Sequence, residues 1–351
     1  MLIIGHREVR DILKGKEPEI LDLVADAYRL HDEGRTSLPH SVFLRFPQDD
    51  RNRIIGLPAH IGGAAPAAGM KWIASFPGNV ALGKERATAS IVLNSMADGS
   101  PEAFIEASLI SAKRTGASAA LAAGLLTTEA EPRGISLIGL GPINLEVLRF
   151  AKARLPELIE IALYDLDAER AVHFAREARK IVPGASVTYC ETPQEALAAH
   201  KLVSLATTAG TPHLDLAAAR PGTTVLHVSL RDLTVDAVLG ARNVVDDADH
   251  VCRERTSLHL AEQATGGRDF IEAPIGALLR DPARYAPDPE RVTVYSPFGL
   301  GVLDLALARW VKDQAEQWVL GVQIDDFLPA ALPQQEAVTA SLIGRPIPSR
   351  A

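Results

Sequence analysis

Gly134 to Asn144, reading Gly-Ile-Ser-Leu-Ile-Gly-Leu-Gly-Pro-Ile-Asn, restricts what this chain can fold into more than any other stretch. An apolar, β-favouring run enters a G-x-G turn at Gly139 and Gly141, and an amphipathic run from Leu145 to Leu155 leaves it. The order is strand, glycine turn, helix. In such a turn one glycine permits the tight bend and the next lets backbone approach a pyrophosphate, whose charge meets the free N–H groups of the helix N-terminus. Ile159 to Leu163 reads as a second buried strand, and Asp165 follows it roughly 20 residues past the glycines, where a ribose-binding carboxylate is expected. The spacing predicts a dinucleotide site built on Gly139, Gly141, Pro142, Ile143, Asn144 and Asp165. An ordinary β–α turn competes with this reading, and Asn144 in place of the fingerprint's third glycine counts in its favour.

From Arg133 onward strands alternate with helices. Residues 186–190, 202–206, 224–229, 243–245 and 291–295 read as strands, with helical stretches such as 168–180 and 193–199 between them. That rhythm predicts an α/β fold with a doubly wound parallel sheet, in which ligands bind beyond the carboxyl ends of the strands. Thr207, Ser229 to Asp232, and Ser296 to Gly299 fall at such ends. Upstream the pattern differs. The first thirty-odd residues are helical in spacing up to Gly34; then 42–46, 53–57, 70–76 and 89–94 read as short strands without a long helix between them, an antiparallel meander. A short segment at 103–106 and an Ala-rich helix over 109–126 lead to the glycine turn. A long helix over 302–320 follows the sheet, and the Pro-rich tail after Asp325 is expected to be partly mobile.

The 351 residues leave room for two domains, each with a core. A formal net charge of −8 without a basic cluster argues against nucleic acid and anionic membranes as partners. The N-terminus lacks an apolar stretch of signal-peptide length and no run approaches the ~18 apolar residues of a membrane span, so a cytoplasmic protein is expected. Cys190 and Cys252 form no C-x-x-C pair and are expected as reduced, buried thiols. Asp246, Asp247, Asp249, His250, Cys252 and His259 match no standard metal-ligand spacing, so no metal is expected. G-x-S-x-G and H-E-x-x-H are both absent.

Three cations stand out before the glycine turn. A period of two puts Lys71, Ile73 and Ser75 on one strand face and Met70, Trp72, Ala74 and Phe76 on the other. A buried lysine is costly unless it meets an anion. Arg45 poses the same question, and for both residues a charged edge strand that discourages aggregation is the plainer explanation. Arg114 sits on a helix of small residues, where a solvated charge or an ion-pair partner is the default. Together the three could clamp a substrate carboxylate. Asp232 is the strongest acid/base candidate because it follows the 224–229 strand on the side where a nicotinamide would lie. It competes with a role as N-cap of a helix beginning near Thr234.

These residues resemble the ornithine cyclodeaminase/μ-crystallin family over nearly the whole chain. The resemblance rests on Lys71-Trp72 with Ser75 to Asn79, Arg114 to Ser118, the glycine turn, and Ser296 to Gly301 leading into Asp304 to Ala306. Leu38 to Pro47, Gly139 to Asn144 and Ser229 to Leu233 look like its diaminopropionate-biosynthesis branch, which contains the N-(2-amino-2-carboxyethyl)-glutamate dehydrogenase of siderophore pathways. The resemblance implies a Rossmann-type NAD-binding domain over 116–301 and a discontinuous α+β substrate-binding and dimerisation domain from 1–115 and 302–351. The final helix would return to that first domain, and the assembly would be a homodimer. It also implies a small-molecule amino acid substrate, held by Arg45, Lys71 and Arg114, with Asp232, helped by Lys71, as acid/base. Asp165 as ribose ligand favours NAD over NADP, and Thr207, Ser229 and Ser296 would flank the cofactor. Arg231 stands where ornithine cyclodeaminase tends to have glycine, and is expected to bind an extra substrate carboxylate. Asn144 becomes a branch-specific substitution whose side chain caps the pyrophosphate-facing helix. Within the family the alternative is ornithine cyclisation to proline and ammonia; outside catalysis it is a crystallin-like NAD binder.

Overall fold

The computed structural model describes residues 1–329; the tail beyond, including most of the segment expected to be mobile, lies outside the described residues. Two eight-stranded sheets organise the chain. The first contains β1 (Leu2–Ile4), β2 (Thr36–Ser37), β3 (Val42–Phe46), β4 (Asp49–Ile61), β5 (Ala67–Ser75), β6 (Ala87–Asn94) and β7 (Pro101–Glu106). The second contains β8 (Gly134–Ile138), β9 (Glu160–Tyr164), β10 (Ser186–Tyr189), β11 (Leu202–Leu205), β12 (Thr224–His227), β13 (Arg242–Val245), β14 (Ile271–Pro274) and β15 (Thr293–Ser296), while β16 (Val322–Gln323) returns to the first.

The second sheet runs β10-β9-β8-β11-β12-β15-β13-β14, with every pairing parallel. Both faces of β8, β11, β12 and β15 are buried, as helix-covered parallel strands require. Strand order reverses between β8 and β11, so the glycine turn after β8 sits at the switch point where such sheets bind ligands. The expected doubly wound sheet is therefore present, with β14 as an addition that the sequence pattern did not reveal.

β3 to β7 form the expected antiparallel meander. β4 is far longer than the 53–57 segment suggested and passes through Pro58. A proline weakens a strand because it cannot donate to the ladder. Here β3 pairs with β4 only up to Gly56 and β2 resumes at His60, so Pro58 lies where one side of β4 has no neighbour. The N-terminus is not helical throughout either: Leu2–Ile4 pairs in parallel with β7 before the helices His6–Leu13 and Glu17–Asp32 begin.

The helix Ser108–Leu126 runs unbroken from the first sheet to the second and packs on Pro142–Arg154; Gly116 lets the two backbones approach, since a Cβ there would stand 2.8 Å from the Glu146 carbonyl. The final helix, Gly301–Gln317, packs on β4, β5 and β6 of the first sheet. One apolar core, from Leu2 through Leu137 to Val311, extends across both sheets. Within it the hydroxyls of Tyr28, Ser118 and Tyr295 bond one another at 2.8–3.1 Å, tying two helices to β15. Cys252 is buried as expected, whereas Cys190 is only half-buried.

Candidate active site

Gly139 has φ +84, and a Cβ there would lie 2.6 Å from the Ala206 carbonyl oxygen, so only glycine lets the turn close against the end of β11. Gly141 is different. Its φ of −95 suits any residue, yet a Cβ would meet nothing within 4 Å, which leaves an open cradle directly before the helix Pro142–Arg154. No side chain caps that helix, so its first N–H groups remain available to an anion. Asp165 accepts from Leu140 N at 2.7 Å and Asp167 N at 3.0 Å, holding the turn while each carboxylate oxygen keeps a further lone pair. These residues fit a dinucleotide.

Asn144 does not cap the helix. Its side chain is fully buried: Nδ2 donates to the carbonyls of Ile138 (3.0 Å) and Gly139 (2.7 Å), and Oδ1 accepts from Ser204 Oγ at 2.6 Å. An amide offers both donors and an acceptor, so Asn144 braces the turn against β11 from below.

Lys71 is not an edge-strand charge. β5 is flanked by β4 and β6, and Lys71 is 1% exposed, donating to Asp304 Oδ2 at 2.6 Å and Ser111 Oγ at 3.3 Å. Arg114, also buried, donates from Nε to Asp304 Oδ1 at 3.1 Å. Asp304, itself fully buried, thus bridges both cations and leaves the trio one net positive charge. Burial, then the neighbouring Arg114, pushes the Lys71 ammonium down to about 8 although Asp304 opposes this. Arg45 does not join the trio. It is half-exposed on β3, stacks over Phe43, and pairs with Glu254 at 2.5 Å.

Asp232 is fully buried and is not a helix cap; Thr234 takes that role, accepting from Ala237 N. The hydroxyls of Thr207 and Ser229 donate to the two Asp232 carboxylate oxygens. His227 Nε2 lies 3.4 Å from Oδ2, and its Nδ1 is 3.1 Å from Ser296 Oγ. Burial alone would raise the Asp232 carboxyl, but His227, Ser229 and Thr207 together outweigh it and hold the group at about 2. Thr207, Ser229 and Ser296, expected to flank a cofactor, therefore form one hydrogen-bonded set around Asp232.

The turn after β15 joins the two groups. Asp246 accepts from Phe298 N (2.9 Å) and Gly299 N (2.7 Å), and Gly299, at φ +93, presses so closely on Arg114 that a Cβ would stand 2.6 Å from its guanidinium. Burial pushes the Asp246 carboxyl up to about 6 against those N–H bonds. Its neighbour Asp247 pairs with His31 at 2.9 Å, and among the described residues no group of His, Cys, Asp and Glu is placed to hold a metal ion. Arg231 Nη2 donates to the Glu254 carbonyl at 2.8 Å, so Arg45 and Arg231 converge on Glu254 from the two sheets. Leu230 (φ 70) and Glu254 (φ 54) both occupy the left-handed region, at a cost of about 1–3 kcal/mol each.

Sequence reasoning gave no role to Asp304, His227 or Glu254. The first two had a signal: an acid among Val302, Leu303 and Leu305 on a helix, and a histidine inside the apolar strand Thr224–His227. Glu254 had none.

The ornithine cyclodeaminase/mu-crystallin family model matches residues 7–318. The chain belongs to this family. It is 25% identical over 333 residues to the N-((2S)-2-amino-2-carboxyethyl)-L-glutamate dehydrogenase of Staphylococcus aureus, covering 93% of this chain and 98% of that one. An archaeal alanine dehydrogenase dimer solved with bound NAD superimposes with a TM-score of 0.82 at 25% identity, over 93% of this chain and 99% of that one. The Thermococcus litoralis Δ1-pyrroline-2-carboxylate reductase, solved with NADH and L-proline, shares the fold with a TM-score of 0.85 at 22% identity, over 92% and 100%. Family membership accords with the Rossmann-type sheet.

Proposed function

We propose that this chain is an NAD-dependent dehydrogenase that oxidatively cleaves N-(2-amino-2-carboxyethyl)-L-glutamate into 2,3-diaminopropionate and 2-oxoglutarate. The observation that carries this reading is a surplus of cations: Arg45 and Arg231 converge on one glutamate, and a separate Lys71–Asp304–Arg114 trio holds a net positive charge of its own. A substrate with a single carboxylate needs fewer. The similarity to the staphylococcal dehydrogenase points the same way.

NAD⁺, which the Gly139–Gly141 turn, the N-terminus of the helix Pro142–Arg154 and Asp165 would hold, would supply the oxidant for removal of a hydride from the glutamate-side Cα. Lys71 and Arg114 fix a substrate carboxylate so that this C–H is presented in one orientation. Asp232, ionised and aimed by Thr207 and Ser229, takes the amine proton as the C=N bond forms, then directs water onto the imine carbon. The C–N bond breaks, the nitrogen leaves as the amine of diaminopropionate, and amine, NAD⁺ and water have become diamine, 2-oxoglutarate, NADH and a proton. Lys71, poised near 8, is suited to returning the proton that the leaving nitrogen needs.

The two-unit division at 1–115 with 302–351 against 116–301 belongs to this reading, and so does a cytoplasmic homodimer serving siderophore-type diaminopropionate synthesis. Support for the dimer comes from the outer face of the first sheet. Val42, Leu44, Met70, Trp72 and Phe104 are exposed there on β3, β5 and β7, an apolar surface that a second copy would cover. Among the described residues no helix is long and apolar enough to cross a membrane.

The deciding assay follows absorbance and products. NADH accumulates with the secondary amine and not with ornithine; proline and ammonia released from ornithine would establish the cyclodeaminase instead, and NAD binding without any turnover the crystallin-like binder. Arg231→Gly raises KM for the tricarboxylate with little change in kcat, whereas unchanged kinetics would remove Arg231 from the site. Gly141→Ala, whose methyl occupies the open cradle without strain, weakens NADH binding by about ten-fold or more at unaltered stability. Fluorescence titration measures this, and parental affinity would place the pyrophosphate elsewhere.

A further inference from the structure

Arg45, Arg53 and Ser75 stand directly opposite one another on β3, β4 and β5. Residues opposite on neighbouring strands share a face, and Ser75, four residues after Lys71, is on the face that carries Lys71 toward the final helix. Arg86, just before β6, reaches back to the same row and donates from Nη1 to Ser75 Oγ at 2.9 Å. Arg231 approaches from the second sheet. Arg53 accordingly has three guanidinium groups as electrostatic neighbours, Arg231, Arg86 and Arg45, with Glu254 the one opposing charge that acts on it.

Glu254 is already engaged, its carboxylate by Arg45 and its carbonyl by Arg231. Among the described residues neither Arg53 nor Arg86 has an acidic partner, and the Nε of Arg53 is enclosed without any hydrogen bond. Both side chains are half-buried, and burial depresses each guanidinium's proton affinity. An enclosed, unsatisfied donor among like charges is destabilising in the free protein. It becomes favourable when an anion enters.

We propose that Arg53 and Arg86, with Arg231 opposite, form a second carboxylate subsite, in the strand row four residues along β5 from Lys71, that selects substrates bearing a carboxylate on the arm remote from the reacting carbon. Lys71 and Arg114 serve the carboxylate beside the reacting carbon; this row serves the distal one. The inference rests on the cleft assigned above but not on the identity of the amine.

NADH-loaded full-length protein is titrated with 2-oxoglutarate and with pyruvate, two keto acids that differ by the distal carboxylate arm, and binding is read by calorimetry. The parent protein prefers 2-oxoglutarate by about ten-fold or more, as a charge-assisted contact implies. Arg53→Gln and Arg86→Gln each collapse that preference while pyruvate affinity stays within about two-fold. A parent protein without the preference, or variants that keep it, would overturn the subsite. Because Arg86 is held by one side-chain hydrogen bond, to Ser75, its variant remains informative if Arg53→Gln fails to fold. Absence of turnover of the amine alongside an intact preference would instead remove the proposed reaction and leave the subsite standing.

Discussion

Asp232→Asn lowers kcat by about 10²- to 10⁴-fold, the range that a positioned proton-transfer group supplies, while NADH affinity stays within about two-fold. The structure makes this substitution clean. Asparagine has the same shape, and its carbonyl still accepts from Thr207 or Ser229, so the hydroxyl pair and His227 need not move far. What vanishes is the ability to take a proton. In the free protein that carboxylate is held at about 2, so it is ionised throughout the neutral range, the state that the proposed base requires. Single-turnover measurement of NADH formation checks this directly. Near-parental turnover would show that another group, with Lys71 the first to test, carries the proton.

Asp304→Ala destabilises the fold by about 3–5 kcal/mol, the cost of leaving buried charge without its partner. The effect is large because a single carboxylate, fully buried, serves two cations that are themselves buried. Neither can swing into water: Lys71 lies on an interior strand and Arg114 beneath the Gly299 turn. Urea unfolding monitors the loss. Adding Lys71→Met to the Asp304→Ala chain restores part of it by removing one stranded ammonium, though Arg114 still lacks its partner. If the double variant recovers nothing, the pair is not the source of the instability.

The second sheet was legible because its strands are short apolar runs separated by helical spacing, and the glycine turn fixed where its binding edge lies. β1 escaped because three residues carry no usable period, β14 because Glu272 and Pro274 interrupt its apolar run, and β4 was cut short because Pro58 reads as a breaker unless the gap between β2 and β3 is known. Lys71, Arg114 and Asp232 were visible as charges in apolar or strand-end contexts. Their partners were not. Asp304 reaches Lys71 and Arg114 across 233 and 190 residues, and Arg53 meets Arg45 only through strand register. Pairing across such separations is a product of topology, which no local pattern encodes. Asn144 shows the opposite error: its position suggested a cap, yet its side chain turned inward because Ser204 and two carbonyls offered a complete set of partners.

The Lys71–Asp304–Arg114 trio also has a consequence for biosynthesis. A ribosome delivers residues in order, at about 5–20 per second, and N-terminal parts begin to organise first. Lys71 and Arg114 emerge long before the helix that bears Asp304, so the meander and the Ser108–Leu126 helix can form while their inward-facing cations still lack the counter-ion. The two cations therefore lack their counter-ion until the helix Gly301–Gln317 docks. Pairing of both cations and packing of that helix on the first sheet become a single event, which ties neutralisation of the buried charge to docking of one late-synthesised element.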